Sequence, residues 1–223
     1  IQALSLTNLT STLQTTTFAS GNVNLAIPSA DDGSLFDSNI IPVSGIPAGS
    51  IITDFKVTLN AAHPWIGDAC FVLKGPNGQV LSLDYFLTAT GGAGVTTGFT
   101  NTVFSPSGVT PLNTGTNPWT GLFKADAQSA TVPTGFPPSG PVGYAPTTTT
   151  WDNLITTLNG DWTLAFYDYF DGSDDGTLNN WSITISYTSP TYAQGTWNGP
   201  AGTIFTDAAA TTPYTGTPAT TVY

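Results

Sequence analysis

The chain contains no Glu, no Arg and no Met, and this gap limits its fold more than any other feature of its 223 residues. Its 14 acidic residues are all Asp, and its 3 basic ones are Lys56, Lys74 and Lys124. The absent residues are the straight side chains that lose least rotamer freedom in a helix. In their place stand Thr, Val, Ile, 6 Trp, 8 Tyr and 12 Phe, punctuated by 24 Gly and 17 Pro. The first set suits strands and the second suits turns, so the chain is expected to be all-β. With 39% hydrophobic and only 8% charged residues, it has the apolar material for a packed core and lacks the signature of disorder.

The net charge of -11 argues against nucleic acid as a partner, because three scattered lysines cannot displace counterions from a phosphate backbone. The same charge opposes anionic membranes, and no apolar run reaches the 18 residues of a spanning helix. Clustered Asp oxygens do suit divalent cations. Acidic charge also keeps a Thr-rich surface soluble, which is the plainer explanation for it. Cys70 is the single cysteine, so no intramolecular disulfide is available. Its place in Ala69-Cys70-Phe71-Val72-Leu73 marks it as a small core residue rather than a nucleophile. Without a starting Met or a basic leader, the chain reads as a mature form or a fragment.

Short strands and turns follow one another from Gly21 onward. Val23 to Pro28, Ser38 to Ser44 and Ile51 to Leu59 read as strands, the last with Ile51, Phe55, Val57 and Leu59 on its inner face. Cys70 to Leu73 and Val80 to Phe86 flank Gly75-Pro76-Asn77-Gly78, a strong hairpin signal. Residues 87–150 read as long loops with short strands between them, and Trp162 to Tyr169 and Trp181 to Tyr187 as two further strands. This pattern, without an amphipathic helical stretch, indicates a sandwich or jelly roll. Residues 1–20 form a Thr- and Ser-rich arm or strand, 21–188 the main sandwich, and 189–223 an extension or the start of a following Ig-like module.

Two segments carry a family resemblance. One is His63-Pro64-Trp65-Ile66-Gly67-Asp68-Ala69-Cys70-Phe71-Val72-Leu73-Lys74-Gly75-Pro76-Asn77-Gly78. The other is Asn159-Gly160-Asp161-Trp162-Thr163-Leu164, continuing through Asp168 to Gly176-Thr177-Leu178 and Trp181-Ser182-Ile183. In this order they resemble the proprotein convertase P domain, over residues 21–187. The resemblance implies a β-sandwich of jelly-roll type, secreted, often following a subtilisin-like catalytic domain and sometimes part of a large surface protein.

Catalysis finds little support in the residues. The one histidine, His63, sits at a strand end before a proline, and no Gly-x-Ser-x-Gly elbow occurs. His63 is expected to be structural, and a Cys70–His63 dyad is disfavoured by the apolar strand around Cys70. Most Asp residues neighbour Gly, Asn or Pro, where they stabilise turns. Asp168, Asp171, Asp174 and Asp175 crowd one loop and fit either an irregular Ca2+ site or a solvated acidic turn. Asp68 is a further calcium candidate, because the P-domain resemblance implies loop-bound calcium. Lys56 and Lys74 on strands raise an intramolecular isopeptide bond, for which no partner residues are evident. Asn8-Leu9-Thr10 and Asn180-Trp181-Ser182 match the N-glycosylation pattern.

These features lead to an extracellular or cell-surface structural or adhesive module, not an enzyme. Its expected partners are copies of itself, paired through residues 1–20 and 190–223, or adjacent domains. The alternatives are an accessory domain of a secreted protease, and a carbohydrate-binding module stacking sugars on Trp65, Trp119 or Trp197. Of these three, Trp119 is the one least expected in the core.

Overall fold

The structure is a computed structural model, and it describes residues 9–29, 35–85, 98–128, 144–170, 175–192, 197, 200, 202–216 and 221–223. Ten strands run through it: β1 (Leu9–Ala19), β2 (Leu25–Ile27), β3 (Asp37–Val43), β4 (Ile51–Ala62), β5 (Ala69–Lys74), β6 (Val80–Tyr85), β7 (Phe99–Phe104), β8 (Trp119–Phe123), β9 (Gly160–Asp168) and β10 (Gly176–Tyr192). The chain divides into a larger unit, residues 15–46 and 52–186, and a smaller one, residues 1–14, 47–51 and 187–223.

The larger unit is an all-β sandwich. One sheet has the order β1-β10-β4-β7-β8 with β2 also on β10, and the other has the order β3-β9-β5-β6. The pleat explains the burial along β4, where Phe55, Val57, Leu59 and Ala61 are buried and the residues between them are partly exposed. Ile51, expected on the inner face, is 68% exposed, because the buried alternation begins only at Phe55. Between the sheets Phe55 packs on Trp162 at 5.0 Å and Phe71 on Phe99 at 5.6 Å between ring centres. Such pairs combine large apolar burial with favourable tilted geometry.

Strands β5 and β9 are buried on both faces, which is why their sequences are nearly continuous apolar runs. On the face away from Phe71 and Phe166, a second cluster joins Cys70, Val72, Val80, Ala165 and Tyr167, with Tyr85, Tyr144 and Tyr169 packed against it. Cys70 is thus a buried core residue. The hairpin expected at Gly75-Pro76-Asn77-Gly78 is present. Gly78 takes φ +83°, open to glycine at little cost, and its N–H donates to the Gly75 carbonyl at 2.9 Å.

The stretch 87–150 holds β7 and β8, paired in parallel. Trp119 begins β8 and is only 5% exposed, its indole N–H donating to the Leu112 carbonyl at 3.1 Å. This corrects its expected place in an open loop: the surrounding Pro/Thr-rich sequence masks a core anchor. In the smaller unit the Tyr187 hydroxyl donates to Gln14 Oε1 at 2.9 Å, and Phe205 and Tyr223 exchange backbone hydrogen bonds, both 2.9 Å.

Candidate functional site

His63 lies just beyond β4, where Pro64 ends the ladder. The Trp65 N–H donates to its Nδ1 at 3.0 Å, so the neutral ring carries its proton on Nε2. Nε2 stands 3.1 Å from Asp168 Oδ2 at the end of β9, and both side chains are wholly buried. The approach is close but poorly aligned for a hydrogen bond. The contact is therefore electrostatic, which depends on distance more than on angle. Asp168 Oδ1 accepts the Phe170 N–H at 2.9 Å.

A glycine closes this arrangement. A Cβ at Gly176, the first residue of β10, would lie 2.1 Å from His63 Cδ2 and 2.9 Å from the Ala62 carbonyl oxygen. The pair thus ties the ends of β4 and β9 to the start of β10. It joins the two segments that carry the family resemblance, which also meet where β5 pairs with β9.

The calcium candidates fall in different surroundings. Asp168 faces His63. Asp68 is half-buried, and its carbonyl accepts the Tyr169 N–H at 3.0 Å. Asp175 is exposed and accepts the Ser29 hydroxyl at 3.4 Å. Asp171 and Asp174 lie outside the described residues. Among the described residues no three His, Cys or Asp side chains converge as metal ligands, so Asp68, Asp168 and Asp175 do not form such a set by themselves.

A second buried carboxylate went unmarked in the sequence. Asp84 is 0% exposed near the end of β6, and neither carboxylate oxygen has a hydrogen-bond partner. A bulge in the pairing with β5 falls here: Phe71 pairs with Asp84, and Val72 with Ser82. Asp126 is its charged neighbour; its Oδ2 accepts the Tyr85 N–H at 2.8 Å. Burial, then the Asp126 charge, push the Asp84 carboxyl well above the usual carboxylate range. Burial raises Asp126 to about 6, although the Tyr85 amide and Lys124 pull the other way. The signal was an Asp inside the apolar run Val80-Leu81-Ser82-Leu83-Asp84-Tyr85, where turn formation cannot explain it.

Other candidates have structural company. Lys56 pairs with Asp54 at 2.6 Å, and Lys74 lies over the Tyr144 ring at 5.4 Å. The Asn180 side chain accepts from Asn60 Nδ2 at 2.8 Å, and Asn8 lies outside the described residues. Trp65 is 44% exposed, unlike Trp119. No helix among the described residues is long and apolar enough to cross a membrane.

No family model matches the chain, and no curated protein matches it. Among solved structures it is similar to the serine protease of Aeromonas sobria, with 14% identity over 83% of this chain and a TM-score of 0.41. It is also similar to a chain in the complex of that protease with its chaperone, with 13% identity over 81% of this chain and a TM-score of 0.43. The chain spans 28% and 27% of those two chains. Likeness at this level decides neither family nor function.

Proposed function

We propose that this chain is a non-catalytic structural or adhesive module of an extracellular surface protein, and that it associates with neighbouring copies through β1. The observation that carries the reading is the edge that β1 presents. It stands at the end of its sheet, and among the described strands it has neighbours on one side only. Its 11 residues, LTSTLQTTTFA, contain no charge and no proline. Leu13 on it is 65% exposed. Proteins that avoid edge pairing place Lys, Pro or bulges on such strands, and β1 has neither Lys nor Pro. An added strand would bind through main-chain hydrogen bonds, with exposed Thr side chains alongside. The burial of His63 and Cys70, the chain's only histidine and cysteine, supports a non-catalytic role. Stabilisation by calcium belongs to the same reading.

Light scattering coupled to size exclusion, in calcium-containing buffer, tests it. Concentration-dependent oligomers that Leu13→Lys disperses are the expected result. A monomer near 23.1 kDa at every concentration overturns the association.

A second reading, an accessory P-type domain of a secreted protease, draws support from the meeting of the two resembling segments at His63–Asp168 and along β5–β9. A subtilisin-like domain encoded upstream in the same gene would favour it, and its absence would remove it.

A further inference from the structure

We infer that Asp84 and Asp126 together hold one calcium ion at the end of β6. Asp84 is sealed from solvent with both oxygens unpartnered. An ionised carboxylate so placed carries a desolvation cost of several kcal/mol unless a positive charge meets it. No protein cation does: among the described residues Lys56 pairs with Asp54, the imidazole of His63 faces Asp168, and Lys124, which acts electrostatically on Asp126, forms no ion pair with either carboxylate. A proton is the other way to neutralise the group. It would cover one oxygen and create an O–H donor for which the neighbouring Asp126 is the acceptor, and it would leave the other oxygen of Asp84 without a partner. A divalent ion meets both oxygens at once.

The surroundings are built rather than incidental. Asp84 is on a paired strand at a bulge, a feature common beside binding sites. Asp126 opens a single 3-10 turn, Asp126–Gln128. Gln128 Oε1 fixes that turn by accepting the Ala125 N–H at 3.2 Å and the Trp151 indole N–H at 3.0 Å. The Tyr85 N–H holds Asp126 Oδ2, which leaves Oδ1 as the atom assigned to the ion. Both side-chain ligands are hard carboxylate oxygens, which select calcium or magnesium over zinc. Calcium is preferred because it accepts bidentate carboxylates and irregular geometry. Its remaining ligands would be carbonyl oxygens and water, since no third acidic, His or Cys side chain joins the pair among the described residues. The inference does not depend on the association through β1.

The test is calorimetric titration of CaCl2 into chelator-treated full-length chain at pH 7.5. Asp84→Asn, Asp126→Asn and Asp175→Asn are titrated in parallel, with far-UV circular dichroism to check folding. One ion per chain is expected. Outer-shell changes at metal sites cost about 10–100-fold, so loss of either ligand should weaken binding at least about tenfold. Asp175→Asn should leave the affinity unchanged. If Asp84→Asn does not fold, Asp126→Asn and the calcium-induced rise in melting temperature of the unsubstituted chain decide the matter. Absence of binding at millimolar calcium overturns the inference. So does binding that survives both Asn variants but is lost in Asp175→Asn, which would place the ion at the Asp168–Asp175 loop. An infrared band of a protonated carboxyl that persists in calcium and vanishes in Asp84→Asn also overturns it, by showing a proton in place of the ion.

Discussion

Replacing Gly176 by Ala adds a single methyl group at the place where three strand ends meet. The new Cβ would lie 2.1 Å from His63 Cδ2, 2.8 Å from its Cγ and 2.9 Å from the Ala62 carbonyl oxygen. Neither neighbour can retreat easily. Ala62 is backbone at the end of β4, and His63 is pinned by the Trp65 N–H on one side and Asp168 on the other. Overpacking alone costs about 1–3 kcal/mol. Moving the imidazole also disturbs its bond from the Trp65 N–H and its contact with the buried Asp168 Oδ2, and a buried polar group left unsatisfied costs about 1–3 kcal/mol. The two effects share one movement and do not add fully, so a loss of about 2–4 kcal/mol is expected. For a chain of this length that lowers the melting temperature by about 4–16 °C. Urea denaturation followed by Trp fluorescence measures it. A double-mutant cycle then isolates the cause: in a His63→Ala background the space beside residue 176 opens, and the penalty of Gly176→Ala should fall by more than half. A loss below about 1 kcal/mol in the unsubstituted chain, or an equal loss in both backgrounds, would refute the reasoning.

Trp119→Ala should cost about 3–5 kcal/mol, because it empties a buried indole site and removes the hydrogen bond to Leu112. Trp65→Ala, at a position 44% exposed, should cost less than half as much; equal losses in urea melts would contradict the burial of Trp119. In the smaller unit, backbone N–H groups of Thr211 and Thr212 and the Thr211 hydroxyl hold the Asp207 carboxyl down at about 2. A depressed acid favours the ionised form in the fold. Its contribution is therefore in force above the unfolded value of about 4 and is lost as pH falls through about 2. Side-chain NMR titration should find that low midpoint, and one near 4 would show that the turn does not hold the carboxylate.

The strands were legible where one physical signal dominated. Phe55, Val57 and Leu59 alternate, so the period of two located β4 and its inner face, and Asn77-Gly78 located the β5–β6 hairpin because a left-handed turn needs glycine. Ile51 shows the limit of periodicity, which gives the face of a strand but not where burial begins. Trp119 shows another, since Pro- and Thr-rich flanks say nothing about long-range packing under Phe99, whose ring centre is 6.2 Å away. Gly176 was visible as part of the Gly-x-Leu pattern, yet the reason for it is steric and nonlocal. His63, more than a hundred residues earlier in the chain, occupies the space that a side chain would need.

The acidic residues divide on the same principle. A local reading weighs Asp by its neighbours, and so it singled out the crowded run from Asp168 to Asp175. Burial weighs Asp by what the fold puts opposite it. Asp168 has its partners within the protein, with His63 facing Oδ2 and the Phe170 amide on Oδ1. Among the described residues the charged neighbour of Asp84 is Asp126, a second carboxylate, and burial disfavours the charge on both. A fold with one fully buried acid matched by an imidazole can keep it without outside help. The same fold with another acid matched by an acid needs something the described residues do not supply. That asymmetry between the ends of β9 and β6 is what motivates the cation proposed at Asp84 and Asp126.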